Sequence, residues 1–122
     1  SCETIIFNFS PEILFSHRFD VISLGICYKH SLQFKVCQIT LIKRGSRIGA
    51  IKIPSLVVIE NSPINTVITT ITAQDPDLND IHTFTLVNDA NGAVKLGLVT
   101  NNRRRDTSVP LLVANSSKFS YK

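Results

Sequence analysis

Residues 59–87 read IENSPINTVITTITAQDPDLNDIHTFTLV, and this stretch decides the fold that the sequence predicts. Residues 67–73 alternate with a two-residue period, which is typical of a half-buried strand. Its two faces are Val67, Thr69, Ile71 and Ala73, and Ile68, Thr70 and Thr72. Residues 81–87 predict a second strand, with Phe84 and Leu86 pointing inward. Between the two, residues 75–80 form an acidic turn, because Pro76 fixes φ and cannot continue a ladder of hydrogen bonds.

The rest of the chain repeats this pattern of short strands and turns. An edge strand is predicted at 56–60, a turn at 88–92, short strands at 94–98 and 109–114, and a polar, basic loop at 100–108. Earlier strands are predicted at 20–26 and 31–39, with a turn at 43–46. Leu41 is expected to point inward after a slip in the second of these strands. No helical period is convincing, so the prediction is an all-β antiparallel sandwich or barrel.

Composition limits the classes of protein to which the chain can belong. With 122 residues and 43% hydrophobic residues, the chain is long enough for one domain with a core. The net charge of +4 is mild, and the one dense basic cluster, Arg103–Arg105, has no aromatic residue beside it. This argues against nucleic-acid binding, which calls for clustered charge with aromatic residues nearby. The cluster is either a solvated loop or a patch for polyanions such as heparin.

The reactive side chains form no recognisable catalytic or zinc pattern. Cys2, Cys27 and Cys37 are odd in number, and their spacings match no zinc motif. Buried or unpaired thiols, and one disulfide within an extracellular module, are the two interpretations that remain open. The three histidines are scattered, and no glycine-rich phosphate loop is present, so an enzyme is not expected.

Several short motifs follow one another in the second half of the chain, namely Glu60-Asn61, Asp75-Pro76-Asp77, Phe84-X-Leu86 and the stretch from Leu111 to Tyr121. In order and spacing they resemble the motifs of a cadherin repeat. The resemblance covers about residues 54–122 and leaves residues 1–53 unassigned. The family's last two strands have no counterpart before Lys122. Either the repeat is truncated, or residues 1–50 supply substitute strands.

The resemblance implies a Greek-key, immunoglobulin-like sandwich that is strung in tandem with other repeats and binds calcium at the junctions. Carried over by position, Glu60 serves a lower site and Asp75 and Asp77 serve an upper one, with Asn79 or Asp80 as a further oxygen ligand. Oxygen-rich turns of this kind suit calcium, which takes six to eight oxygen ligands at about 2.3–2.6 Å. The same residues are also good turn formers without any metal.

Two departures from the family pattern bear on these sites. At the lower site, Ser120 and Lys122 stand where the family places an aspartate and a glutamate, and an ammonium group would repel a cation. At the upper site, the acidic linker expected before the repeat is replaced by the basic residues 47–53.

The function expected from the resemblance is calcium-dependent cell adhesion, or a spacer role, in a larger extracellular protein. Its partners would be other cadherin-like repeats or cell-surface proteins, homophilic partners included, and any membrane anchor would lie outside this sequence. Asn8-Phe9-Ser10 and Asn115-Ser116-Ser117 fit the N-glycosylation pattern, which suits a glycoprotein. The alternative is a metal-free β-sandwich scaffold that binds glycans or polyanions through Arg103–Arg105.

Overall fold

The computed structural model of this chain describes residues 12–14, 18–30, 33–45, 49–52, 57–75, 82–103 and 106–119. Residues 12–14, 27–30, 33–37 and 101–103 are described through their backbone pairing alone.

Strands account for most of the described residues. In chain order they are β1 (Glu12–Leu14), β2 (Phe19–His30), β3 (Gln33–Arg44), β4 (Ala50–Lys52), β5 (Val57–Ile59), β6 (Val67–Gln74), β7 (Thr83–Asn88), β8 (Val94–Leu96), β9 (Thr100–Arg103) and β10 (Asp106–Val113). A single turn of 3₁₀ helix, Ser116–Phe119, follows the last strand. None of the helical structure in the described ranges is long and apolar enough to cross a membrane.

The strands form two sheets. The first has the order β1-β4-β6-β10-β8, and β9 also pairs with β10. The second has the order β5-β2-β3-β7. All the pairings are antiparallel except the one between β2 and β5. Because β2 and β3 lie between β5 and β7, strands from before and after position 54 share one sheet.

Both sheets contribute to one apolar core. The second sheet supplies Ile22, Leu24, Ile26, Ile39, Leu41 and Phe84, and the first supplies Ile51, Ile71, Ala73, Val94, Val109, Leu111 and Val113. Phe119 of the 3₁₀ helix is fully buried in the same cluster. An all-β protein of two packed sheets is therefore confirmed, and the predicted inward positions of Leu41, Phe84 and Leu86 agree with the burial.

A β-bulge changes the face that the beginning of β6 presents to the core. The register of β10 against β6 shifts between Leu111, opposite Thr69, and Leu112, opposite Val67, so Ile68 is the extra residue. Val67 is therefore exposed and Ile68 is buried, whereas Thr69, Ile71 and Ala73 share the inner face as the alternation predicts. Grouping Val67 with those three residues was wrong, because a simple two-residue period contains no bulge.

Strand β10 pairs with both β8 and β9 along one edge, and Pro110 causes the break between these two pairings. The Pro110 carbonyl accepts a hydrogen bond from the amide of Gly97 at 2.8 Å, so this residue's backbone faces the β8–β9 edge. Since proline has no N–H to donate there, the ladder cannot continue regularly along that edge. Leu98, which was expected in the strand, lies in the interruption and is 87% exposed.

Two predicted connections are strands in the structure. Lys43 and Arg44, predicted as part of a turn, are the last two residues of β3. The predicted loop 100–108 contains β9 and the start of β10, which pair with each other as a hairpin. In both places tertiary pairing stabilises strands whose composition is that of a surface loop.

Candidate functional site

The predicted calcium-binding residues belong to opposite ends of the two sheets. Asp75 follows β6 directly, at the end where Gln74 of β6 pairs with Asp106, the first residue of β10. Glu60 follows β5, and the amide of the next residue, Asn61, donates to the carbonyl oxygen of Phe119, which lies beyond the other end of β10. Because β10 has eight residues, roughly 25 Å separates these ends, which we call the Asp75 end and the Glu60 end.

The Asp75 end holds the acidic segment on which the calcium prediction depends. Of that segment, Asp75 is described, whereas Asp77, Asn79 and Asp80 lie outside the described residues. Asp75 does not face solvent: its side chain is buried, and its Oδ2 lies 3.1 Å from Nε2 of His82. This contact joins the two ends of the connection between β6 and β7, so it fixes the base from which the acidic segment extends.

A pair of charged residues lies beside this contact in the second sheet. Lys43 of β3 and Asp20 of β2 are directly opposite each other in the ladder, and Nζ of Lys43 is 3.9 Å from Oδ2 of Asp20. The Lys43 side chain is fully buried. Asp20, Lys43, Asp75 and His82 are therefore four polar residues at one end of an apolar core, and we call them the Lys43 cluster.

Burial and charge act in opposite directions on Lys43. Removal from water disfavours the ammonium form and lowers the pKa of Lys43 below its ordinary value, while Asp20 and then Asp75 act to raise it. Burial has the larger effect. Asp75 comes from the first sheet and Lys43 from the second, so this electrostatic interaction acts across the core.

The sequence gives a weak signal for this cluster. Lys43 and Asp20 occupy the same face as Leu41 and Ile22, because each lies two residues along the strand from a buried apolar neighbour. The predicted strand 20–26 already contains Asp20, and extending the predicted strand 31–39 by four residues would have placed Lys43 inward as well. The burial of His82 and its pairing with Asp75 depend on the path of the connection and have no counterpart in the hydrophobic pattern.

A glycine before β4 closes this end of the first sheet. Gly49 has φ of 126°, which L side chains rarely adopt, and a Cβ built there would overlap the carbonyl oxygen of Gln74. Ala50 then pairs with Gln74 in the ladder. Gly49 thus allows β4 to approach the strand end from which Asp75 extends.

The described residues supply only part of the set of ligands that calcium requires. Within the described ranges, no group of three or more His, Cys, Asp or Glu side chains is arranged to hold a metal ion. The Asp75 carboxylate is shared with an imidazole, which is not the oxygen donor that calcium prefers. The fit of calcium to this end therefore depends on Asp77, Asn79 and Asp80 together with backbone carbonyl groups.

The Glu60 end carries the better-placed glycosylation sequence. Asn115 is exposed, and its Oδ1 accepts hydrogen bonds from the amide and the hydroxyl of Ser117 at 3.1 and 2.7 Å. These contacts cap the 3₁₀ helix through the oxygen of the side-chain amide, while a glycan would be joined to its nitrogen. Asn8, the other candidate, lies outside the described residues, as do Ser120 and Lys122.

In comparisons with known proteins, no family model, no curated protein and no solved structure matches this chain. The class that fold and site define is an all-β protein of two packed sheets, with a polar cluster at one end of its core.

Proposed function

We propose that this chain is a cadherin-like extracellular module that serves calcium-dependent adhesion or acts as a spacer within a larger protein. The observation that carries the proposal is the position of the two acidic sites at opposite ends of the strands. Modules joined in tandem meet at their ends, so cations bound there can stiffen successive junctions. A site on the flank of a sheet would not have this effect.

The arrangement of the second sheet supports the finer fold assignment. In a Greek-key, immunoglobulin-like sandwich of the cadherin type, the family's last two strands would have to be supplied from elsewhere in this chain. β2 and β3 form a long hairpin between β5 and β7, which supports the proposal that they take those places. This choice corresponds to the alternative in which the N-terminal segment supplies substitute strands.

Calcium is the proposed ligand of the Asp75 end. Asp77, Asn79 and Asp80 provide the oxygen donors, and Asp75 anchors the segment through His82. Bringing several carboxylates together without a cation is unfavourable, and a bound divalent ion relieves the repulsion between them. At the Glu60 end one half-buried carboxylate stands in the described part of the chain, which makes this the weaker of the two sites.

The adhesive partner is proposed to be another cadherin-like repeat or a cell-surface protein. The outer face of the second sheet supports a role in protein contact, because Phe19, Val21 and Val87 are exposed there. The guanidinium carbon of Arg44 lies 4.7 Å from the centre of the Phe19 ring, which adds a basic group to this apolar surface.

Thermal unfolding with and without calcium tests the proposal. Calcium at 100 times its dissociation constant should stabilise the folded chain by about 2.7 kcal/mol, so the melting temperature should rise. The double variant Asp77→Asn with Asp80→Asn should lose this rise. Asp106→Asn, which removes one negative charge at the same end, should keep it. An unchanged melting temperature at millimolar calcium would contradict a metal-supported module.

The second candidate function is a metal-free scaffold that binds polyanions. It is favoured by the pairing of β9 with β10, in which Arg103 is the last residue of one strand and pairs with Asp106, the first residue of the next. Heparin retention that falls with salt, and is lost when Arg103–Arg105 are replaced by glutamine, would support it. Lys95→Gln on β8 is the matched control, and equal loss in that variant would point to net charge alone.

A further inference from the structure

The Lys43 amine is the most unusual group in the described core. Lysine is almost never fully buried unless it is paired, and here its side chain is as inaccessible as that of Leu41, two residues earlier. Phe84 of β7 lies opposite Lys43 in the ladder and is buried as well. The amine is therefore held in an apolar surrounding with two carboxyl groups, those of Asp20 and Asp75, as its acidic neighbours.

The position of the first of these neighbours brings an amine and a carboxyl group close together. Asp20 and Lys43 are paired directly across the β2–β3 ladder, and 3.9 Å separates Nζ from Oδ2. Each side chain is confined by a strand that runs for 12 residues, so the two groups cannot drift apart while the hairpin is formed. Holding two reactants in this way replaces a bimolecular encounter and lowers the entropic part of the barrier.

We propose that Lys43 and Asp20 are the site of an intramolecular isopeptide bond, formed between Nζ of Lys43 and Cγ of Asp20. In this step the neutral amine attacks the carboxylic acid form of Asp20, and the Nζ–Cγ bond forms. The Cγ–hydroxyl bond then breaks, and the hydroxyl leaves as water with one proton from the amine. One amide and one water molecule are the whole product, so no oxidant, reductant or activated co-reactant is needed.

Burial favours the neutral form of the Lys43 amine, which is the nucleophile in this step. A buried ion pair bears a desolvation cost that its mutual attraction does not always offset, and transfer of one proton from the ammonium to the carboxylate removes both charges. Desolvation also lowers the pKa of Lys43, which raises the fraction of the nucleophilic amine. The amide product is uncharged and is the better occupant of a dry site.

Asp75 is a second acidic group near Lys43 and comes from the opposite sheet. Its charge is felt at Lys43 across the core, and its own carboxylate is held by His82 at 3.1 Å. Asp20 keeps 17% of its side-chain exposure, which provides a way out for the water.

The bond would close the β2–β3 hairpin covalently at its open end. Because residues 20 and 43 are the ends of the loop so formed, the cross-link would restrict the unfolded chain as a disulfide does. It would differ from a disulfide in resisting reducing agents. In a module that carries tension between its two ends, such a link would keep this hairpin from separating.

Intact mass spectrometry of the folded chain after denaturation tests the proposal. The expected mass is lower than the sequence mass by one water molecule, and trypsin should release a branched peptide that joins residues 19–29 to residues 36–44. A free Lys43 would allow cleavage after residue 43, so the branched peptide also retains that bond uncut. The full sequence mass, with separate peptides 19–29 and 36–43, would overturn the proposal.

Two variants test whether the loss of water comes from a bond between Lys43 and Asp20. Lys43→Met, which keeps an unbranched apolar chain, and Asp20→Ala should both restore the full sequence mass. Loss of water that persists in Lys43→Met would mean another reaction, such as cyclisation of an aspartate, and would also overturn the proposal.

Discussion

The centre of the core and its Asp75 end are built from the same strands but held together by different forces. In the centre, Leu24, Ile39 and Leu111 are completely apolar and nearly inaccessible to water. At the Asp75 end, the same inward faces of β2 and β3 carry Asp20 and Lys43. The pleat of a strand decides which residues point inward, but it does not decide that they must be apolar.

This difference determines how each region responds to substitution. An apolar side chain stabilises in proportion to the surface it removes from water and the volume it fills. A buried polar group stabilises only while its partners are present, because the group that remains after a deletion has lost its solvation. We therefore expect the Asp75 end to depend on the chemistry of its partners and the centre to depend on volume.

Removing the Asp75 carboxylate should give the largest effect. Asp75→Ala leaves His82 and Lys43 without their shared carboxylate, and loss of one buried partner typically costs about 3–5 kcal/mol. Urea unfolding in the presence of a calcium chelator measures this cost without any metal contribution. Asp75→Asn is the matched control, and it should cost less because its amide oxygen can still accept from His82. A loss under about 1 kcal/mol in Asp75→Ala would show that the pairing is not structural.

Truncating a central leucine should give the next effect. Leu111→Ala removes a fully buried side chain, and large-to-small changes of this kind cost about 2–5 kcal/mol. Leu98→Ala makes the same chemical change at a position that is 87% exposed, and it should alter stability by less than about 0.5 kcal/mol. Equal losses from the two variants, measured as free energies of unfolding in urea, would contradict the assigned core.

A methyl group at Gly49 should produce a smaller loss that comes from the backbone. Gly49→Ala forces an L residue into a φ of 126° and drives its Cβ against the Gln74 carbonyl, for a cost of about 1–3 kcal/mol. Gly92→Ala has the positive φ of 83° but nothing within 4 Å of the added Cβ. It should therefore cost less in thermal unfolding, and a larger loss at Gly92 would argue against the close approach of β4 to β6.

The smallest predicted effect is a pH dependence that belongs to Lys43. In Asp20→Ala the amide cannot form, and burial keeps the pKa of Lys43 below its ordinary value of 10.5. Between the lowered pKa and 10.5 the unfolded chain binds a proton that the folded chain has released, so stability rises with pH. The double variant Asp20→Ala with Lys43→Met lacks this group. As the pH rises, the free energy of unfolding of Asp20→Ala should therefore increase relative to that of the double variant. A constant difference between the two variants would contradict the burial of Lys43.

The sequence predicted the strands in the centre of the core better than it predicted the arrangement of the Asp75 end. Alternation identified β6 and β7 with the inward positions of Ile71 and Phe84, because an apolar side chain on a pleated strand has a strong preference for one face. It ended β3 too early, at residue 39, and predicted a turn from Lys43, because a charged residue normally marks the surface. The candidate site was found only through the acidic residues of the turn, and its other members Asp20, Lys43 and His82 were not found.

The sequence by itself determined that this protein is built of strands, because its β-branched residues alternate with a two-residue period and its turn residues divide them. It also determined that an acidic turn joins β6 to β7. Only the tertiary structure decided that the β2–β3 hairpin lies between β5 and β7, and that Asp20, Lys43, Asp75 and His82 meet at one end of the core. Pairing between distant strands leaves little trace in local periodicity, because the partner of a strand is selected by the sheet as a whole.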